Sequence, residues 1–153
     1  MRIIVDDIPV TGRNIEFDLD TSWARPAVAE ALECEPDALS GSIRVTQAER
    51  KTDVRVRIGL ETHAKGTCDR CGDPVHRSVS ITSDLLYQPE SPDGSDEEVE
   101  LGEDELDVGW YRDGQLSLPD ILMEAVALEL PSRVLCIDQE ACETRTREML
   151  AAA

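Results

Sequence analysis

Two stretches in the middle of this chain alternate apolar and polar residues with a period of two. Val54, Val56, Ile58 and Leu60 fall on one side, with Arg55, Arg57 and Gly59 on the other. Ile43 and Val45 alternate with Arg44 and Thr46 in the same way, and Val79, Ile81 and Leu85 continue the pattern further on. Successive strand side chains point to opposite faces, so this period marks strands buried on one side. The connections between them are short. Three such segments in a row predict an antiparallel meander.

The flanks supply further elements. Arg2–Val5 reads as a short strand, and so does Asn14–Leu19, with Ile15, Phe17 and Leu19 inward. A helix is predicted over Trp23–Cys34. Pro26 falls in its first turn, where the missing N–H costs nothing, and Val28, Ala31 and Leu32 face the core. Glu35-Pro36 ends it. Leu106–Trp110 adds a strand. Ser117 is the expected N-cap of a second helix, with Asp120 at its third position and Leu116 and Ile121 placed as a staple. Its core stripe is Leu118, Ile121, Leu122, Ala125 and Leu128, and Pro131 stops it. A last short helix is predicted over Glu143–Leu150. Residues 1–153 are thus expected to form a single α+β domain. Its antiparallel sheet would be strongly curled or barrel-like and covered by two main helices.

Charge is unevenly placed. The chain has 33 acidic and 15 basic residues, a net charge of -18. Residues 41–80 carry eight basic against five acidic side chains, whereas Glu90–Asp107 holds ten acidic residues and no basic one. The latter stretch is expected to be a flexible acidic loop. It reads as a solvated insertion, an arm for a basic partner, or a shield over the basic sheet. No apolar run suits a signal peptide or a membrane span: Ile3-Ile4-Val5 meets Asp6 and Asp7, and Leu116–Leu130 contains Asp120, Glu124 and Glu129. A cytoplasmic protein is expected, and there cysteines serve as metal ligands or reduced thiols more often than disulfides.

Cys68-Asp69-Arg70-Cys71-Gly72 carries the most chemistry. Two cysteines two residues apart can aim both thiolates at one ion. A glycine after the second allows a positive φ, so that N–H groups turn toward the sulfurs. One pair cannot close a tetrahedral zinc site. Cys136 and Cys142 offer a second pair, with a gap wider than a zinc knuckle, so a loop is expected there. Four thiolates would make a structural zinc centre; His63 or His76 are alternative completing ligands. The rival is a dithiol oxidoreductase, but that motif opens a helix, whereas strand-like residues follow Cys71. Cys34 reads as a small buried residue of the first helix. No phosphate-binding glycine loop or nucleophile–base pair stands out, and no enzyme is expected. Arg44, Arg55, Arg57, Lys65, Arg70 and Arg77 are the basic residues available to nucleic acid. Arg55, Arg57 and Arg70 are the strongest candidates for RNA or partner contact, and a solvated sheet face laced with ion pairs is the alternative. Interleaved aromatic residues for base stacking are missing from this stretch.

The order of these features resembles the YceD family, the large ribosomal RNA subunit accumulation proteins. The resemblance rests on Cys68-x-Arg70-Cys71-Gly72 between strands, the acidic loop, the Asp120–Pro131 helix with its Leu128-Glu129-Leu130-Pro131 close, and a cysteine-bearing tail. It spans roughly residues 40–145; many members carry more tail cysteines and glycines than the Cys136 and Cys142 found here. It implies a non-enzymatic factor that supports large-subunit ribosomal RNA accumulation, through synthesis, processing or protection, and ribosome assembly. Its expected partner is a large-subunit RNA precursor or pre-ribosomal particle, with no membrane. A different reading is a zinc-stapled interaction module whose acidic arm binds a basic protein, such as a ribosomal one.

Overall fold

A computed structural model of the chain describes residues 1–91 and 108–153. Its elements are β1 (Arg2–Ile4), β2 (Arg13–Asp18), α1 (Ala24–Leu32), β3 (Pro36–Gln47), β4 (Val54–Thr67), β5 (Pro74–Pro89), β6 (Val108–Tyr111), β7 (Gln115–Ser117), α2 (Leu118–Glu129) and α3 (Gln139–Ala152). A five-stranded sheet has the order β2-β3-β4-β5-β6, and β1 pairs with β7 separately.

The meander is present as expected. β3, β4 and β5 pair antiparallel, with Ile43 opposite Ile58 and Leu60 opposite Ile81. Two expectations for the sheet are corrected. It is mixed, because β6 runs parallel to β5, placing Val108 opposite Leu86 and Trp110 opposite Gln88. It is also open and not strongly curled: β2 and β6 are its edges and do not pair with each other. A parallel pair needs a crossover of a dozen residues or more, and the stretch between β5 and β6 supplies that length. The acidic loop expected at about 90–107 lies outside the described residues, apart from Glu90 and Ser91.

One face of the sheet is the core. Ile43, Val45, Val54, Val56, Ile58, Leu60 and Ile81 are all buried there. α1 and α2 pack on each other and cover this face, α1 against β3 and α2 against β5. Gly41 sits in close contact with β2 and β4, the two neighbours of β3. A Cβ there would lie 2.5 Å from Phe17 Cζ and 2.6 Å from the Gly59 carbonyl oxygen. Burying such an aliphatic face stabilises by roughly 25 cal/mol per Å² of apolar surface.

α1 ends at Leu32, with Glu33 left-handed at φ 57°, so Cys34 lies just beyond the helix and is half-buried. α2 begins after Ser117 as expected, although the Ser117 hydroxyl makes no capping bond. Its stripe is Leu118, Ile121, Leu122, Ala125 and Val126, whereas Leu128 is 72 % exposed. Val126 follows Leu122 by one turn, and Leu128 falls on the flank away from the sheet. α3 starts earlier than expected because Asp138 caps it, its Oδ1 accepting from the Ala141 N–H at 3.0 Å. A second, smaller cluster lies apart from the main core. It consists of Cys68, Cys71, Val75 and Cys142, with Val134, Leu135 and Cys136 against them.

Candidate functional site

That smaller cluster forms at the turn between β4 and β5. The turn carries Cys68 and Cys71, and Gly72 takes φ 78°, the positive value expected from its place in the motif. The Gly72 N–H donates to the Cys68 carbonyl at 2.9 Å, and the Cys68 N–H donates to the Asp73 carbonyl at 2.8 Å. The loop after α2 docks on this turn through a reciprocal pair. The Asp69 N–H donates to the Val134 carbonyl at 2.8 Å, and the Val134 N–H donates to Asp69 Oδ2 at 2.7 Å. Cys136 follows in that loop, and Cys142 stands in the first turns of α3. The wide gap in the second pair therefore reflects one cysteine on a loop and one on a helix.

The four sulfurs all lie within 4.8 Å of one another. Cys68 and Cys142 Sγ are 3.7 Å apart, and Cys71 and Cys136 Sγ are 3.5 Å apart. A tetrahedral zinc with bonds of about 2.3 Å to sulfur sets sulfur–sulfur edges at about 3.8 Å. The closest pairs match that edge, and the whole set is the size of a single-ion site. All five cysteines of the chain are free of disulfides. Neither histidine takes part: His63 Nδ1 pairs with the Ser78 hydroxyl at 2.9 Å on the sheet.

The electrostatics of the two halves differ. The Cys71 N–H, aided by those of Arg70 and Cys136, pulls the Cys68 thiol down to about 6 against the opposing effect of burial. The Asp73 N–H lowers that of Cys71. Burial raises Cys136, and it pushes Cys142 up to about 12, with the neighbouring sulfurs adding to the rise. The turn thus favours thiolates, while burial holds Cys136 and Cys142 toward the neutral thiol. Four converging thiols of this kind can hold a metal ion, and the donor set fits a soft, tetrahedral dication such as zinc. Cys71 leads through Gly72 into β5, so no helix starts at the motif as a thioredoxin-type dithiol requires.

The structure adds a residue that the sequence did not single out. Arg145 lies one turn beyond Cys142 on α3. Its Nη2 is 3.5 Å from Cys136 Sγ, and its Nε is 2.8 Å from Asp73 Oδ2. The latter contact is an ion pair that lies off the N–H axis, so that N–H itself has no hydrogen-bond acceptor. The neighbouring thiols raise the guanidinium pKa further. The signal was the i,i+3 spacing from Cys142, hidden because the helix was expected to start too late.

The basic candidates are divided between two places. Arg55 and Arg57 share the face of the sheet away from the helices, near one end of β4. Both reach Asp84, Arg55 through Nε at 2.7 Å and Nη2 at 2.6 Å, and Arg57 through Nε at 3.4 Å. Arg44 stands directly opposite Arg57. Arg70 is on the cysteine turn at the far end of β4, roughly 35 Å away at about 3.3 Å per residue. Lys65 lies on that outer face toward the cysteine turn. Arg77 does not belong to this surface. It faces the helix side, where Nη2 donates to the Leu32 carbonyl at 3.0 Å and to Cys34 Sγ at 3.3 Å. Trp110, 60 % exposed on edge strand β6, shares the outer face with Arg55: Val108 is opposite Leu86, and Leu86 is opposite Arg55. An exposed aromatic residue on this edge of the sheet, two strands from Arg55, was not expected, because no sequence pattern reveals a parallel pairing across so long a connection.

The fold and site define an α+β protein with a one-sided sheet, whose β4–β5 turn, last helix and the loop before that helix share a four-thiol cluster. The family model described as "Large ribosomal RNA subunit accumulation protein YceD" matches residues 56–150, from β4 through α3 and including all four clustered cysteines. The chain belongs to that family, as its motif order implied, and the description ties the family to accumulation of large-subunit ribosomal RNA. No curated protein and no solved structure matches the chain. No helix among the described residues is long and apolar enough to cross a membrane.

Proposed function

We propose that this chain is a non-enzymatic, cytoplasmic factor that supports large-subunit ribosomal RNA accumulation and ribosome assembly by binding an RNA precursor or pre-ribosomal particle. The observation that carries this reading is the family match over residues 56–150. In it the chain acts as one domain. Cys68, Cys71, Cys136 and Cys142 hold a single structural zinc ion that fastens α3 to the β4–β5 turn. Arg55 and Arg57 meet RNA phosphates, with Trp110 at the β6 edge of the sheet as a surface on which an unpaired base stacks. Arg70 makes a separate contact from the cysteine turn.

The test is recovery of precursor RNA with the tagged protein at several salt concentrations. Replacing Arg55 and Arg57 by alanine should weaken recovery and lower the slope of log affinity against log salt by about 2, one for each lost phosphate contact. Trp110→Ala should cost about 1–3 kcal/mol of affinity with little change in that slope. Recovery unchanged after charge reversal at Arg55 and Arg57 would show that the surface is misassigned. Capture of a basic protein that survives nuclease would favour the interaction-module reading instead.

A further inference from the structure

We infer that Arg145, held by Asp73, is a built-in counter-charge of the cysteine centre that sets how tightly the centre keeps its metal. The inference rests on the reading of the four thiols as a metal site. Four thiolates around a dication leave two negative charges. Cys68, Cys71 and Cys142 are nearly sealed from water, with Cys68 and Cys142 each only 2 % exposed. Uncompensated charge is costly in such surroundings. Arg145 brings one positive charge to this place, and it stands where the two halves of the centre meet. Its Nη2 donates to Cys136 Sγ on the loop, and Cys136 Sγ is 3.5 Å from Cys71 Sγ on the turn.

The positioning is specific. Asp73 Oδ2 lies 2.8 Å from Arg145 Nε. Asp73 is itself tied to the centre, since its carbonyl accepts from the Cys68 N–H. Arg145 therefore reads both sides at once: a carboxylate on the turn and a sulfur on the loop, from a helix that also provides Cys142. A lysine could carry the charge but would concentrate it on one ammonium, whereas the planar guanidinium spreads it between Nε beside the Asp73 carboxylate and Nη2 on the Cys136 sulfur. Arg145 touches sulfur rather than metal, so it acts as a positioning and charge-balancing residue. Partners of this outer kind typically change metal affinity 10- to 100-fold when removed.

The experiment uses the full-length chain loaded with zinc. Zinc retention is titrated against a coloured chelator, and the rate of zinc release by a thiol-alkylating reagent is followed separately. The variants are Arg145→Met, which keeps the apolar stem, Arg145→Lys, which keeps the charge, and Asp73→Asn, which removes only the anchor. Arg145→Met should retain zinc about 10- to 100-fold more weakly and release it faster, with one zinc still bound at saturation. Arg145→Lys should recover part of the loss, and Asp73→Asn should show a smaller loss of the same sign. Retention within twofold of the original chain in both Arg145→Met and Asp73→Asn would overturn the inference. If Arg145→Met does not fold, unchanged retention in Asp73→Asn overturns it alone. An original chain that takes up no zinc would overturn the metal reading itself, and this inference with it.

Discussion

Single residues set both close packing in the sheet and its outer electrostatics. Gly41 admits no side chain, because any Cβ would press on Phe17 and on the Gly59 backbone. Gly41→Ala should cost about 1–3 kcal/mol, read as a lower denaturation midpoint, since close-packed cores resist added volume. Asp84 is the opposite kind of residue, exposed and polar. The hydrogen bonds and charge of Arg55, helped by Arg57, hold its carboxyl below the usual carboxylate range. A depressed folded-state pKa contributes stability above the unfolded value, and that contribution disappears as pH falls through the folded one. Asp84→Asn should therefore remove a small part of the acid sensitivity, and unfolding curves between neutral pH and pH 2 would show it. The effect is small because the pair is well exposed. Gly72 was legible from its motif because a turn around two thiols demands positive φ there. Arg145 was not, because an arginine in an acidic helix gives no sign of what it faces until the tail is folded back.

Among the elements, β3, β4 and β5 were the most legible, since period-two alternation leaves few options. α2 was legible through Ser117 and Pro131, although its final turn rotates Leu128 to solvent. β6 joins β5 in parallel after a long connection, and local pattern carries no information about such a partner. α3 was set too late because its cap, Asp138, stands in a stretch with no apolar period. That cap is the only side-chain bond seen at a helix N-terminus among the described residues. Asp138→Ala should cost about 1 kcal/mol of helix stability and raise hydrogen exchange in the first turn of α3, while the β4–β5 ladder stays protected. Equal loosening of α3 and the ladder would mean that the two do not open separately.

Over the whole molecule, the aliphatic core and the cysteine cluster are separate bodies of buried side chains. The first holds the sheet under α1 and α2, and the second holds α3 to one end of the β4–β5 hairpin. Metal removal should therefore free α3 and the loop before it while most strand signal persists. Circular dichroism with limited proteolysis before and after chelation would read this, since in the proposed zinc reading the binding energy is docking energy for the tail. Complete loss of strand signal on chelation would contradict it. The charge excess was plain in the sequence, but where the basic residues meet was not, because Arg55 stands near the start of β4 and Arg70 on the turn beyond its end. The spacing of the centre also has a consequence in time. A ribosome delivers Cys71 65 residues ahead of Cys136. At about 5–20 residues per second, the first thiol pair waits several seconds for the second. The meander can pair during that wait, so the strands precede the clasp. A nascent chain broken off before Cys136 presents only Cys68 and Cys71 of the four clustered thiols, which makes closure of the cluster a marker that synthesis has run past β7.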